Sequence, residues 1–169
     1  MSQSESTSSE SRPSESTSRG AWWVVVQGVI FGYFFAVLLL GETVGEFSGL
    51  VYLQSAGLLV ALFGSGVSIW SVVLHGSRLS PFPKPVDGAR LIDIGPYRFV
   101  RHPMYSGIIA FTFGCSLAYA NVAAALATPI FIVFFMAKTG REEEMLVDVV
   151  PGYRKYRSSV MWRLIPRVV

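Results

Sequence analysis

Two segments of this 169-residue chain concentrate residue types that bind or react. The first, Gly95-Pro-Tyr-Arg-Phe-Val-Arg-His-Pro-Met-Tyr-Ser-Gly107, gathers Arg98, Arg101, His102 and the tyrosines Tyr97 and Tyr105. Pro103 suits a first helical position, because its fixed φ presets the turn and its missing N–H is not needed there. Arg101 and His102 then fall just before a helix start, where free backbone N–H groups already favour an anion. Arginine, histidine and a helix N-terminus make a cradle for a carboxylate or phosphate. The same residues also suit a basic patch lying against anionic lipid headgroups.

The second segment is Arg141-Glu-Glu-Glu-Met-Leu146. Three consecutive carboxylates on a helix point about 100° apart, so at most one or two can face a common site. They suit a solvated helix start, with acids at the favourable end of the dipole. They also suit a site where Glu142, Glu143 or Glu144 accepts hydrogen bonds from ribose hydroxyls or pairs with an ammonium. Placed beside the arginine-rich segment, they point to a zwitterionic ligand between the two.

Other chemistry is excluded or left without a motif. No Gly-rich phosphate loop, metal-ligand cluster or Ser-His-Asp pattern is present, so no metal is expected. The single cysteine, Cys115, lies in an apolar run and allows neither an internal disulfide nor a cysteine metal cluster. The net charge of +3 does not imply nucleic acid, since basic residues of membrane proteins mark cytoplasmic loops. A third polar element, Pro151-Gly-Tyr-Arg-Lys-Tyr156 and then Arg163-Leu-Ile-Pro166, is interleaved with Val147, Val150, Met161 and Trp162. That tail is expected along the membrane surface or capping the spans. His75 closes an apolar run and has no assigned role.

The elements that must position these residues are set by where charge is missing. Charged residues make up only 15% of the chain, against roughly 25% in a soluble domain. Three stretches carry no Asp, Glu, Lys or Arg: residues 20–41 (22 residues), 47–77 (31 residues) and 102–137 (36 residues). A soluble fold of this size must expose most of its residues to water and cannot hide so much charge-free chain. About 20 apolar residues span the hydrocarbon core, so the chain reads as an all-α integral membrane protein.

Four spans are expected, at about 21–40, 50–74, 104–119 and 122–137. Trp22 and Trp23 suit a headgroup-level start of the first, and Gly57, Gly64, Gly66 and Ser68 are close-packing candidates on the second. Ala120-Asn121 reads as a tight turn, which makes the last two spans a short C-terminal hairpin, with Pro129 a kink point. Prolines 81, 83, 85 and 96 forbid a continuous helix through the loop 75–103. Residues 1–19, with nine serines and no aliphatic or aromatic side chain after Met1, read as a disordered tail. A secretory signal is the competing reading, but the apolar run that follows is too long for a typical signal core. Residues 20–169 form one membrane domain, with 138–169 a helical segment that helps build a ligand pocket.

Orientation follows from the basic residues. Loops 41–49 and 120–121 contain no Lys or Arg, whereas residues 75–101 contain five and the tail after Ala137 contains seven. Both termini and the long loop are therefore expected on the cytoplasmic side of the cell membrane.

The ordered set Gly95-Pro-Tyr-Arg-x-Val-Arg-His-Pro-Met-Tyr-x-Gly107, a helical hairpin, Arg141-Glu-Glu-x-x-Leu146, Tyr-x-x-Tyr and Arg-x-x-Ile-Pro resembles the isoprenylcysteine carboxyl methyltransferase family. Related integral-membrane phospholipid methyltransferases share the Arg-His-Pro-x-Tyr and Glu-Glu elements. The resemblance covers residues 75–166. It implies an S-adenosylmethionine-dependent methyltransferase with a cytosolic cofactor pocket between the Arg-His-Pro loop and the Glu-Glu segment. By position it makes Gly95, Pro96, Tyr97, Arg101, His102, Tyr105, Glu142 and Glu143 cofactor-binding candidates, and His102 and Arg101 the catalytic candidates. Arg101 and His102 suit the cofactor's carboxylate, and Glu142 or Glu143 its ammonium or ribose diol.

The acceptor implied is lipophilic and enters from the bilayer. An isoprenylcysteine-like carboxylate, small-molecule or prenylated, comes first; a phospholipid amine, or NADPH-dependent reduction on a related scaffold, are the alternatives. Val150-Pro-Gly-Tyr153 departs from the family's usual Phe-Gly spacing before the first tail tyrosine, at the acceptor end. Membrane lipids are the other expected partners.

Overall fold

A computed structural model describes residues 15–76 and 90–168 of the chain, and every regular element among them is helical. The helices are α1 (Glu15–Leu40), α2 (Leu50–His75), α3 (Pro103–Ala118), α4 (Val122–Val149) and α5 (Tyr153–Ser159), with a 3-10 turn at Gly95–Arg98. The disordered tail expected over residues 1–19 lies outside the described residues as far as residue 14, and α1 reaches back to Glu15. Prolines 81, 83 and 85 also lie outside them. Pro96 stands at the start of the 3-10 turn.

Among the described residues, three helices are long and apolar enough to cross a membrane: Gly20–Leu40, Leu50–His75 and Val122–Val149. The third expected span, α3, is apolar but has 16 residues, about 24 Å of helix against about 30 Å of hydrocarbon. Helix α4 differs from expectation at its far end. It does not stop near residue 137 but continues to Val149. Between Ala137 and Val149 only Gly140 disfavours helix, and only mildly, whereas Pro151 pushes Val150 out of the helical region (φ −101°, ψ 112°). The acidic run is therefore no solvated helix start; it sits in the last third of a 28-residue helix. Pro129 lies inside that helix and withholds one N–H from it.

Helix α3 packs against α2 and α4, and α4 against α1, so the order across the bundle is α2, α3, α4, α1. Small residues let α2 and α3 approach closely. A methyl group added at Gly57, Gly64, Gly107 or Gly114 would run into the facing helix's backbone, and Ser68 Oγ donates to Met104 O at 2.9 Å. Gly66 was expected in this contact and is not, since a Cβ there would meet open space. Two residues from Gly64 at 100° each, it lies on the opposite face of α2.

The main core is aromatic and lies between α1, α3 and α4, with Phe34, Leu38, Tyr105, Ile109, Phe131, Phe134 and Phe135 buried in it. Leu164, from the tail, fills its end and is fully buried. At the far end the α3–α4 turn takes the expected form. Ala120 adopts φ +50°, Asn121 Oδ1 accepts from Ala124 N at 2.8 Å, and Asn121 Nδ2 donates to Val37 O at 3.0 Å. One side chain thus caps α4 and ties the hairpin to α1.

Candidate active site

The polar site forms at the other end of the bundle, where the start of α3, the last third of α4 and the returning tail converge. Two backbone bonds bring the tail back: Arg101 N donates to Trp162 O at 2.9 Å and His102 N to Arg163 O at 3.0 Å. Ser106 Oγ adds a bond to Leu164 O. His102 is the N-cap residue of α3 and Pro103 its first helical residue, as the spacing required.

Glu143 is the hub, with a side chain 1% exposed. Arg101 Nε donates to its Oε1 at 2.7 Å and Nη2 to its Oε2 at 3.4 Å. His102 Nε2 lies 3.2 Å from Oε1. Arg163 Nη2 donates to Oε2 at 3.3 Å, and Arg157 Nε approaches Oε2 at 3.4 Å. A buried carboxylate is tolerable only when paired and hydrogen-bonded, and three arginines supply that pairing here.

Arg101 has little left to give. Besides its two bonds to Glu143, Nη1 donates to Val160 O and Met161 O, both at 2.7 Å. It ties α3, α4 and the tail into one unit.

Glu142, one residue back, holds a different neighbourhood. Tyr105 Oη donates to its Oε1 at 2.7 Å, and His102 Nδ1 lies 3.6 Å from its Oε2. Tyr105 is stacked on Phe135 with ring centroids 4.5 Å apart, which fixes the direction of its hydroxyl. Glu144, a further 100° round the helix, points outward and pairs with exposed Arg141 at 3.0 Å. Two of the three carboxylates therefore face the cluster.

Of the residues singled out from sequence, Arg101, His102, Tyr105, Glu142 and Glu143 come together. Gly95 and Pro96 open the 3-10 turn that packs against α2. Gly95, at φ +58°, packs against α2, where an added Cβ would meet Trp70 and Leu74 at 3.0 to 3.2 Å. Tyr97 is buried between the two regions. Its hydroxyl lies 3.0 Å from Nδ1 of His75, the residue left without a role, and its carbonyl accepts from Tyr156 Oη at 2.7 Å. Burial pushes both phenols, Tyr97 and Tyr156, above the ordinary range, so both stay protonated.

Several site residues were not legible in the sequence. Arg157 and Arg163 reach Glu143 only because the tail turns back. Lys138 is fully buried, donates to Gln27 Oε1 at 2.8 Å and lies 5.2 Å over the Tyr105 ring. Its spacing of four residues from Glu142 was the available signal.

Residues 53–150 match the family model described as phospholipid methyltransferase. The chain belongs to the phospholipid methyltransferase family. The match takes in α2, α3 and α4 and with them Arg101, His102, Tyr105, Glu142 and Glu143, while α1 and the tail beyond Val150 fall outside it. Comparison with curated proteins gives no match. Membership, with three apolar helices of spanning length, makes this a membrane methyltransferase, and the family implies S-adenosylmethionine as the methyl donor.

Proposed function

We propose that the protein transfers a methyl group from S-adenosylmethionine to the headgroup of a lipid at the membrane, with a phospholipid amine as the acceptor. The observation that supports this reading best is the convergence of His102, Tyr105 and Glu142 beside the Arg101–Glu143 pair, within the segment that matches the family. The donor set fits the cofactor. Glu142 receives one short hydrogen bond, from Tyr105, and keeps acceptor capacity for an ammonium or a ribose diol. His102 stands between the two carboxylates.

When bound, S-adenosylmethionine supplies an electrophilic methyl group. The chain's part is to hold donor and acceptor in line and to exclude water. Arg101 acts here as a positioning residue, since its guanidinium is already spent on Glu143 and two tail carbonyls. An ammonium acceptor must lose a proton before it can attack, and in this reading Glu142 or His102 takes it. By the distribution of Lys and Arg this end of the bundle faces the cytosol, with four spans and both termini on that side.

A second reading has its own support. The ordered set from Gly95 to Gly107, with Arg163-Leu-Ile-Pro166, resembles the isoprenylcysteine carboxyl methyltransferases, and a carboxylate acceptor needs no base.

The test is incubation of purified protein with a lipid extract and isotope-labelled S-adenosylmethionine, followed by mass spectrometry and mild alkali. Label on a lipid amine survives alkali, and label on a methyl ester is released as methanol. Label on neither contradicts methyl transfer to a lipid.

A further inference from the structure

A lysine is buried where α4 meets α1. Lys138 is 1% exposed, and its Nζ donates to Gln27 Oε1 at 2.8 Å. Gln27 is the one amide side chain in the apolar run Gly20–Leu40, seven residues beyond its start. A lysine near the end of a membrane helix ordinarily carries its ammonium out to the interface. This one is turned into the bundle. Ionisable side chains so placed are costly to desolvate and mark function rather than packing.

Packing of α1 on α4 is supplied by aromatic pairs, Trp23 with Phe134 at 5.6 Å and Phe31 with Phe131 at 5.0 Å between ring centroids. Leucine and methionine in place of Gln27 and Lys138 would extend that contact with no polar group to desolvate. What the lysine adds is a contact with the site. Its Nζ lies 5.2 Å over the Tyr105 ring, and the hydroxyl of that ring donates to Glu142 Oε1 at 2.7 Å. A cation over an aromatic face attracts the ring's electrons, which draws charge from the phenol oxygen and makes its O–H a stronger donor. Lys138 also precedes Glu142 by four residues, one turn along the same side of α4. Gln27, Lys138, Tyr105 and Glu142 thus form one line of contacts from α1 to the site.

We propose that Lys138, anchored by Gln27, is a positioning residue for methyl transfer, holding Tyr105 so that its hydroxyl aims Glu142. The inference rests on the methyltransferase reading. It gives α1, which lies outside the segment that matches the family model, a part in the site beyond anchoring the chain.

The experiment uses the full chain in detergent micelles, with a lipid extract and isotope-labelled S-adenosylmethionine. Gln27→Leu/Lys138→Met exchanges both partners for apolar groups of similar size, leaves neither polar atom orphaned and should keep the melting temperature. Gln27→Leu alone, at a half-buried position, releases the ammonium with the lysine still present. Gln27→Glu keeps an acceptor for it. The double replacement and Gln27→Leu are also made together with Tyr105→Phe.

The double replacement should lower the rate about tenfold in the parent, but by no more than about twofold where Tyr105→Phe has already removed the hydroxyl it serves. Gln27→Leu should follow the same pattern, and Gln27→Glu should stay within about threefold of the parent. A rate unchanged by both Gln27→Leu and the double replacement overturns the proposal. So does a loss as large beside Tyr105→Phe as in the parent, or a Gln27→Glu protein as slow as the double replacement. A parent protein that transfers no methyl group contradicts the methyltransferase reading instead. Melting temperatures of the same proteins then decide: if Lys138 holds Tyr105, Tyr105→Phe lowers the melting temperature more in the parent than beside the double replacement, and equal shifts overturn the proposal.

Discussion

Arg101 and Glu143, 42 residues apart in the chain, hold each other through two N–H···O bonds of 2.7 and 3.4 Å. The pair locks the start of α3 to the last third of α4, and the other N–H groups of Arg101 fasten the tail to both. A residue type that reads from sequence as a ligand's counter-charge is thus occupied by the protein itself. The role left to it is to set the position of Glu143 and, through the shared backbone, of His102.

Removing one partner of a buried pair strands the other charge. Glu143→Ala leaves Arg101 and Arg163 without their carboxylate and should lower stability by about 3–5 kcal/mol. Thermal unfolding in detergent measures this. Glu144→Ala, one residue on, removes only an exposed partner of Arg141 and should leave the melting temperature unchanged.

Tyr105→Phe deletes a single hydroxyl whose bond to Glu142 is 2.7 Å long. The lost bond to a charged group amounts to about 1.5–3 kcal/mol, and the freed carboxylate is no longer aimed. Methyl-transfer rate should fall by at least tenfold with a smaller change in melting temperature. Equal rates in parent and variant would remove Glu142 from the proton path.

The α2–α3 contact leaves no room for a methyl group at Gly64, where the nearest atoms belong to the backbone of Phe111 and Gly107. Gly64→Ala should destabilise by about 1–3 kcal/mol through overpacking. Gly66→Ala faces open space and should stabilise α2 slightly, since alanine is the better helix former. Melting temperatures of the two variants should move in opposite directions.

Asn121→Ala removes both the cap of α4 and the tie to Val37. The cap alone accounts for about 1 kcal/mol, and the loss should appear as a lower melting temperature with cofactor affinity unchanged, because the turn is at the opposite end from the site.

Much of this was legible because it rests on composition and local rules. Charge-free runs gave the apolar helices, Ala120-Asn121 gave the turn, and Pro103 gave the start of α3. The end of α4 was not legible, because loss of hydrophobicity at Lys138 marks the end of an apolar run and not the end of a helix. Only Pro151 stops the chain there. The arginines of the tail were missed for a different reason. Their proximity to Glu143 depends on two backbone bonds between residues about 61 positions apart, and such a return leaves no periodic signal. Gly66 shares its residue type with the contact glycines but not their face of α2, and residue type alone does not reveal a face.

Binding of S-adenosylhomocysteine to the parent protein and to His102→Ala and Glu142→Ala variants, measured by calorimetric titration, tests the site most directly. The account predicts saturable one-to-one binding by the parent and at least tenfold weaker binding by each variant, with folding retained. Binding of equal strength in all three would contradict it and place the cofactor elsewhere in the molecule.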